Sequence, residues 1–139
     1  MPDPIRVILV DDQSLVRSGF RMLIESEDDM EVVAEASNGV EALDVLRRMP
    51  VDVALMDIRM PQMDGVEATR RITASPLDTR VLILTTFDLD EYVYAALKAG
   101  ASGFLLKDAR PTELLSALRN VPDVDAYGEP SASLLLRVE

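Results

Sequence analysis

Five short runs rich in Val, Ile and Leu recur along the chain, at Arg6–Val10, Glu31–Ala34, Val51–Met56, Val81–Leu84 and Gly103–Leu106. A strand with one wet face alternates apolar and polar residues. Near-continuous apolar runs are instead the mark of strands covered on both faces, as in a parallel sheet. Helical patterns separate them. Val16, Phe20, Leu23 and Ile24 share one face of a first helix, and Asn38 with Glu41 makes a capping pair for a second, with Ala42, Val45, Leu46 and Met49 inside. A third helix with a weak apolar face is expected from Gly65 to about Ala74. A fourth runs over Glu91–Ala99 and is ended by Gly100, and a fifth starts at Pro111 with Leu114, Leu115 and Leu118 buried. Five strand–helix pairs with short connections predict an α/β fold, an open, doubly wound parallel sheet.

At 139 residues and 48% apolar, the chain supports one domain with one sizeable core. No run reaches the about 18–20 apolar residues of a membrane helix, and the opening MPDPIRVILVDD lacks the pattern of a secretory leader. The chain has no Cys and no His, which removes disulfides, thiolate or imidazole metal sites and Ser-His catalysis, and fits a reducing cytoplasm. Fourteen basic against 25 acidic residues leave a net charge of −11, so direct nucleic-acid binding is not expected. The last stretch, from Pro122, carries two prolines, a glycine and several small residues, and is read as a linker or tail of residues 122–139 after a domain of residues 1–121.

In open α/β sheets, ligands sit beyond the carboxyl ends of the strands. The residues that follow the apolar runs are therefore the informative ones: Asp11-Asp12 after the first, Asp57 after the third, Thr85-Thr86 after the fourth and Lys107 after the fifth. Taken singly, each has an ordinary explanation as a helix cap, a strand-end hydroxyl or a solvated charge. Those explanations do not say why acids and a base should converge on one sheet edge. Three carboxylates brought close raise one another's pKa values unless a cation sits among them. With only oxygen ligands a hard divalent ion is the natural choice, Mg²⁺ above all. Such an ion beside a carboxylate nucleophile, faced by an ammonium and a hydroxyl, is equipment for phosphoryl transfer.

The segments VDDQ, DIRMPQMDG, LILTTF and GASGFLLKD, in this order and spacing, resemble the receiver domain of two-component response regulators over Arg6 to Val121. TTFDLDEYVYAALKAGASGFLLKDA is similar to the NarL/FixJ (LuxR-type) branch, whose members usually end in a DNA-binding helix-turn-helix. The resemblance implies a flavodoxin-like (βα)5 fold with strand order 2-1-3-4-5, and a signalling domain that catalyses only its own phosphorylation and dephosphorylation. By the resemblance, Asp57 takes a phosphoryl group from the histidine of a sensor kinase. Asp12, Asp57 and the backbone carbonyl of Arg59 ligate Mg²⁺, with Asp11 acting through water. Lys107 pairs with a phosphate oxygen and Thr85 turns its hydroxyl to the phosphate. Phe104 stands where the family keeps an aromatic switch, and reads equally as a core residue. The readout is a surface of the fourth helix, fifth strand and fifth helix, met by a second receiver in a homodimer, a DNA-binding domain or another protein; Tyr92 and Tyr94 are candidate contacts.

Lys107 is followed by Asp108 where many receivers have proline, and nothing after Val121 reads as a basic recognition helix. The chain is expected to reach DNA only through an output domain outside this sequence, or to be a stand-alone or degenerate receiver that acts by protein binding. An aspartyl-phosphate phosphatase is disfavoured because Arg59 stands where such enzymes place a second Asp. A nucleotide or flavin module is disfavoured because no Gly-rich loop follows the first strand.

Overall fold

The computed structural model describes residues 3–86 and 91–124. Among them, β1 (Ile5–Val10), α1 (Ser14–Glu25), β2 (Met30–Ala36), α2 (Gly39–Arg48), β3 (Val53–Asp57), α3 (Gly65–Thr73), β4 (Arg80–Thr85), α4 (Glu91–Lys98), β5 (Gly103–Leu106) and α5 (Pro111–Val124) alternate as expected. The five strands are parallel, in the order β2-β1-β3-β4-β5. No described helix is long and apolar enough to cross a membrane.

Alternating strand residues feed two separate cores. Ile8, Val10, Ala54, Met56 and Ile83 pack under α2, α3 and α4, while Val7, Leu9, Leu55, Leu82 and Leu105 pack under α1 and α5. That two-sided demand is why the strand sequences run apolar without a break. The weak apolar face of α3 has a packing reason: Ala68 and Thr69 are fully buried, and the Thr69 hydroxyl is satisfied by donating to the Gly65 carbonyl at 2.6 Å.

The expected cap of α2 is present. The Asn38 side chain accepts from the Glu41 N–H at 3.0 Å, and the Glu41 carboxylate accepts from the Ser37 N–H at 2.8 Å. Leu43 is buried beside Ala42 and Leu46, where Val45 and Met49 are only partly so. Gly100 adopts φ +114° to end α4. The boundary expected after Val121 falls inside α5, which runs to Val124; the rest of the tail, including Leu134–Leu136, lies outside the described residues.

Gly65 is required by close approach rather than by φ. A Cβ there would lie 2.2 Å from the Asp57 carbonyl oxygen, on the strand end that carries the candidate site. Gly65→Ala is therefore expected to cost about 1–3 kcal/mol in urea unfolding, because backbone must move. Gly19→Ala, in α1 with open space around it, is expected to gain about 0.5–1 kcal/mol in the same assay.

Candidate functional site

Strand order reverses between β1 and β3; acids follow the first of these strands and end the second. Such a switch point leaves a crevice, because the connections from the two strands leave in opposite directions. Asp11 follows β1 and is 4% exposed; Asp12 beside it is exposed; Asp57 is the last residue of β3 and half-buried. One carboxylate oxygen from each lies within 4.8 Å of the others.

Lys107 faces this cluster from the far side. Its backbone N–H donates to the Thr85 carbonyl at 2.8 Å, extending the β4–β5 ladder by one bond. From there the long stem reaches back towards β3, two strand spacings or about 10 Å away. Its Nζ lies 3.1 Å from Asp11 Oδ2 and 3.4 Å from Asp57 Oδ2. Burial works against the Lys107 charge, but Asp11 and Asp57 together outweigh it and raise its pKa above the ordinary lysine value.

Asp57 is the strained member. Burial, reinforced by the neighbouring Asp11 charge, raises its pKa above the ordinary carboxylate value, although Lys107 and the Ile58 N–H oppose this. That N–H donates to Asp57 Oδ1 at 2.9 Å, so the carboxylate is turned with Oδ2 towards the ammonium. Asp57, Asp12, Arg59, Thr85 and Lys107 line an open pocket of about 240 Å³, several times the about 30 Å³ of a water in the liquid. Thr85 is buried in the pocket wall. The donor set of three carboxylates, with no nitrogen or sulfur among them, fits a hard divalent cation.

The expected residues thus converge, with one exception. Phe104 is 3% exposed and sits in the core beneath α4 with Val93, Ala96 and Ala101, away from the pocket lining. Tyr92 is half-exposed on the pocket wall with the Arg59 guanidinium 4.8 Å from its ring centroid, and Tyr94 is exposed with Lys98 Nζ 5.2 Å from its ring.

Sequence reasoning missed two features. The loop after Asp57 is tied to the start of α2: the Gly39 N–H donates to the Met63 carbonyl at 3.0 Å and Asn38 Nδ2 to Gln62 Oε1 at 3.3 Å, with Gln62 at φ +68°. Arg17 of α1 donates to the backbone carbonyl of Asp11 at 2.5 Å. A partner that is a backbone atom leaves no residue pair in the sequence to notice.

Residues 7–119 match the family described as the response regulator receiver domain. The chain belongs to that family. Among its relatives are the uncharacterized transcriptional regulatory protein YxjL of Bacillus subtilis, 47% identical over 84% of this chain and 54% of that protein, and the oxygen regulatory protein NreC of Staphylococcus carnosus, 41% identical over 95% of this chain and 61% of that one. The chain therefore spans little more than half the length of these curated relatives. Solved structures agree. A signal receiver domain of Mycobacterium tuberculosis assigned to the response regulator NarL superposes with a TM-score of 0.84 at 38% identity, covering 88% of this chain and 98% of that one. A LuxR-family two-component response regulator from Aurantimonas superposes at 0.83 with 36% identity, covering 94% and 91%. This is a receiver of the NarL/LuxR type, a module of two-component signalling with the flavodoxin-like order expected from its motifs.

The site carries a stability cost that the receiver can shed. The net effect of burial and Asp11 on the charged form of Asp57 is unfavourable, so Asp57→Asn is expected to raise the thermal midpoint in a chelator at neutral pH. Millimolar Mg²⁺ should narrow the gap by stabilising the parent more than the variant, read by circular dichroism melts with and without the ion. A lower midpoint for Asp57→Asn in chelator would contradict this account of the pocket.

Proposed function

We propose that this receiver takes a phosphoryl group onto Asp57 from the phosphohistidine of a sensor histidine kinase, in a Mg²⁺-dependent reaction. The observation that carries the reading is the approach of Lys107 Nζ to both Asp11 and Asp57 at the mouth of a pocket where three carboxylates meet. Asp12, Asp57 and the Arg59 carbonyl would hold the ion, with Asp11 acting through water. When bound, Mg²⁺ neutralises charge on the carboxylates and on the incoming phosphoryl oxygens.

The chain's own residues do the rest. The Ile58 N–H fixes the plane of the Asp57 carboxylate, so that one oxygen faces an incoming phosphorus. That oxygen bonds to phosphorus as the bond to the donor imidazole breaks. The imidazole leaves with the electron pair and takes a proton from solvent, and the product is an acyl phosphate. Lys107 moves from the two carboxylates to a phosphoryl oxygen, and the Thr85 hydroxyl donates to another. Domain catalysis is limited to this step and to the later hydrolysis of the acyl phosphate.

The new charge is read at a distance. Phe104 shares one buried core with Val93 and Ala96 of α4, so a shift of Thr85 and α4 would disturb the packing around this ring. A coupling of about 1–3 kcal/mol is enough to shift such a balance. The α4-β5-α5 surface then meets a second receiver in a homodimer, or a DNA-binding output domain joined through residues 122–139. Direct DNA contact by this chain is disfavoured by its charge of −11, no membrane association is invoked, and the expected compartment is the cytoplasm.

Intact-mass measurement after incubation with Mg²⁺ and acetyl phosphate or phosphoramidate tests the reading. One added phosphoryl mass is expected in the parent, lost on chelation and absent in Asp57→Asn. No gain in the folded parent would favour a receiver that works by binding alone.

A further inference from the structure

Asp12 lies within reach of two other carboxylates, yet among the described residues its side chain accepts no hydrogen bond and joins no ion pair that would hold it there. Its place is therefore set by the backbone of the β1–α1 loop, against electrostatic repulsion. That backbone is held at Asp11 on every side. The Asp11 N–H donates to the Ala36 carbonyl at 3.1 Å, and the Asp11 side chain accepts from the Gln13 N–H at 2.9 Å. The carbonyl of Asp11, which belongs to the peptide leading into Asp12, accepts from Arg17 Nη1 at 2.5 Å.

Arg17 is itself set from β2. Its Nε lies 2.9 Å from Glu35 Oε1, while Arg21 Nη1 takes Glu35 Oε2 at 2.5 Å. Glu35 can face α1 only because β2 carries an irregularity. Met30 and Val32 pack in the α1–α5 core, but after a register shift opposite Val7 and Ile8 it is Ala34 and Ala36 that point to the other core. The shift reverses the alternation, and so turns Glu35 to the α1 side. A bulge, a carboxylate and a guanidinium fork thus converge on one backbone carbonyl beside the acid pocket.

We propose that Arg17, oriented by Glu35, is a positioning residue for cation binding: it holds the Asp11–Asp12 peptide so that Asp12 stays within range of the cation it shares with Asp57. This rests on reading Asp11, Asp12 and Asp57 as a Mg²⁺ pocket. Positioning and plain electrostatics differ here in sign. A guanidinium near a cation site repels the cation, so an effect of charge alone would make removal of Arg17 tighten Mg²⁺ binding, whereas loss of positioning weakens it.

Mg²⁺ titration of the full chain, followed by amide chemical shifts in NMR, separates the two. Arg17→Gln and Arg17→Lys are both expected to raise the Mg²⁺ dissociation constant by about tenfold, the size of effect typical of residues that orient metal ligands. The Lys variant keeps the charge but cannot fork between Glu35 and the carbonyl. Glu35→Asp, which keeps the charge but shortens the carboxylate's reach to Arg17, is expected to weaken binding in the same direction by less, and serves if the Arg17 variants do not fold. A dissociation constant that falls in Arg17→Gln, or stays unchanged in these variants while the melting midpoint drops, would overturn the proposal and leave Arg17 a purely structural residue. A parent that binds no Mg²⁺, or an Asp57→Asn variant that binds it as tightly, would show instead that the underlying pocket reading is wrong, and the proposal would fall with it.

Discussion

The ammonium of Lys107, 3.1 Å from Asp11 and 3.4 Å from Asp57, is what allows a stable fold to gather three carboxylates in one crevice. A parallel sheet sends all its strand ends to one edge, and a reversal of strand order opens that edge between β1 and β3. Geometry alone would then put Asp11, Asp12 and Asp57 together at a cost. The lysine offsets part of it, the Ile58 and Gln13 N–H groups more, and the remainder stays as a penalty on the charged form of Asp57. Stability and function are in tension at this site, and the sheet supplies the rigidity that the site lacks.

The same constraint organises the surroundings. Gly65 lets α3 begin against the backbone of Asp57, so the strand end that carries this carboxylate is backed directly by a helix. Asn38, Gly39, Gln62 and Met63 fasten the intervening loop to α2. Arg17 fastens the opposite side, at the carbonyl of Asp11. All but the Asn38–Gln62 contact act on backbone, which is the economical way to hold acids that cannot be hydrogen-bonded to one another when ionised.

Much of this was legible in the sequence because it is written in side-chain type. The five apolar runs announce two-sided strands, Asn38 and Glu41 announce a cap, and the polar residues after each run announce the pocket, down to Thr85 and Lys107. What stayed hidden depends on backbone. The register shift in β2 cannot be read from its residues, so neither could the facing of Glu35, nor the reach of Arg17 to a carbonyl. Phe104 stayed ambiguous for a different reason: a buried ring beneath α4 satisfies a core and a switch alike, and burial does not tell them apart. The expected tail begins at Pro122, which looks like a terminator, whereas α5 continues to Val124.

Of the three acids in the pocket, Asp57 is the one proposed to become phosphorylated. Reduction of the phosphorylated chain with borohydride converts an acyl phosphate to an alcohol, marking its position for peptide mass spectrometry. The account predicts homoserine in place of Asp57, with Asp11 and Asp12 unmodified. Homoserine at Asp11 or Asp12 instead would contradict it, and would mean that the nucleophile had been assigned to the wrong strand end.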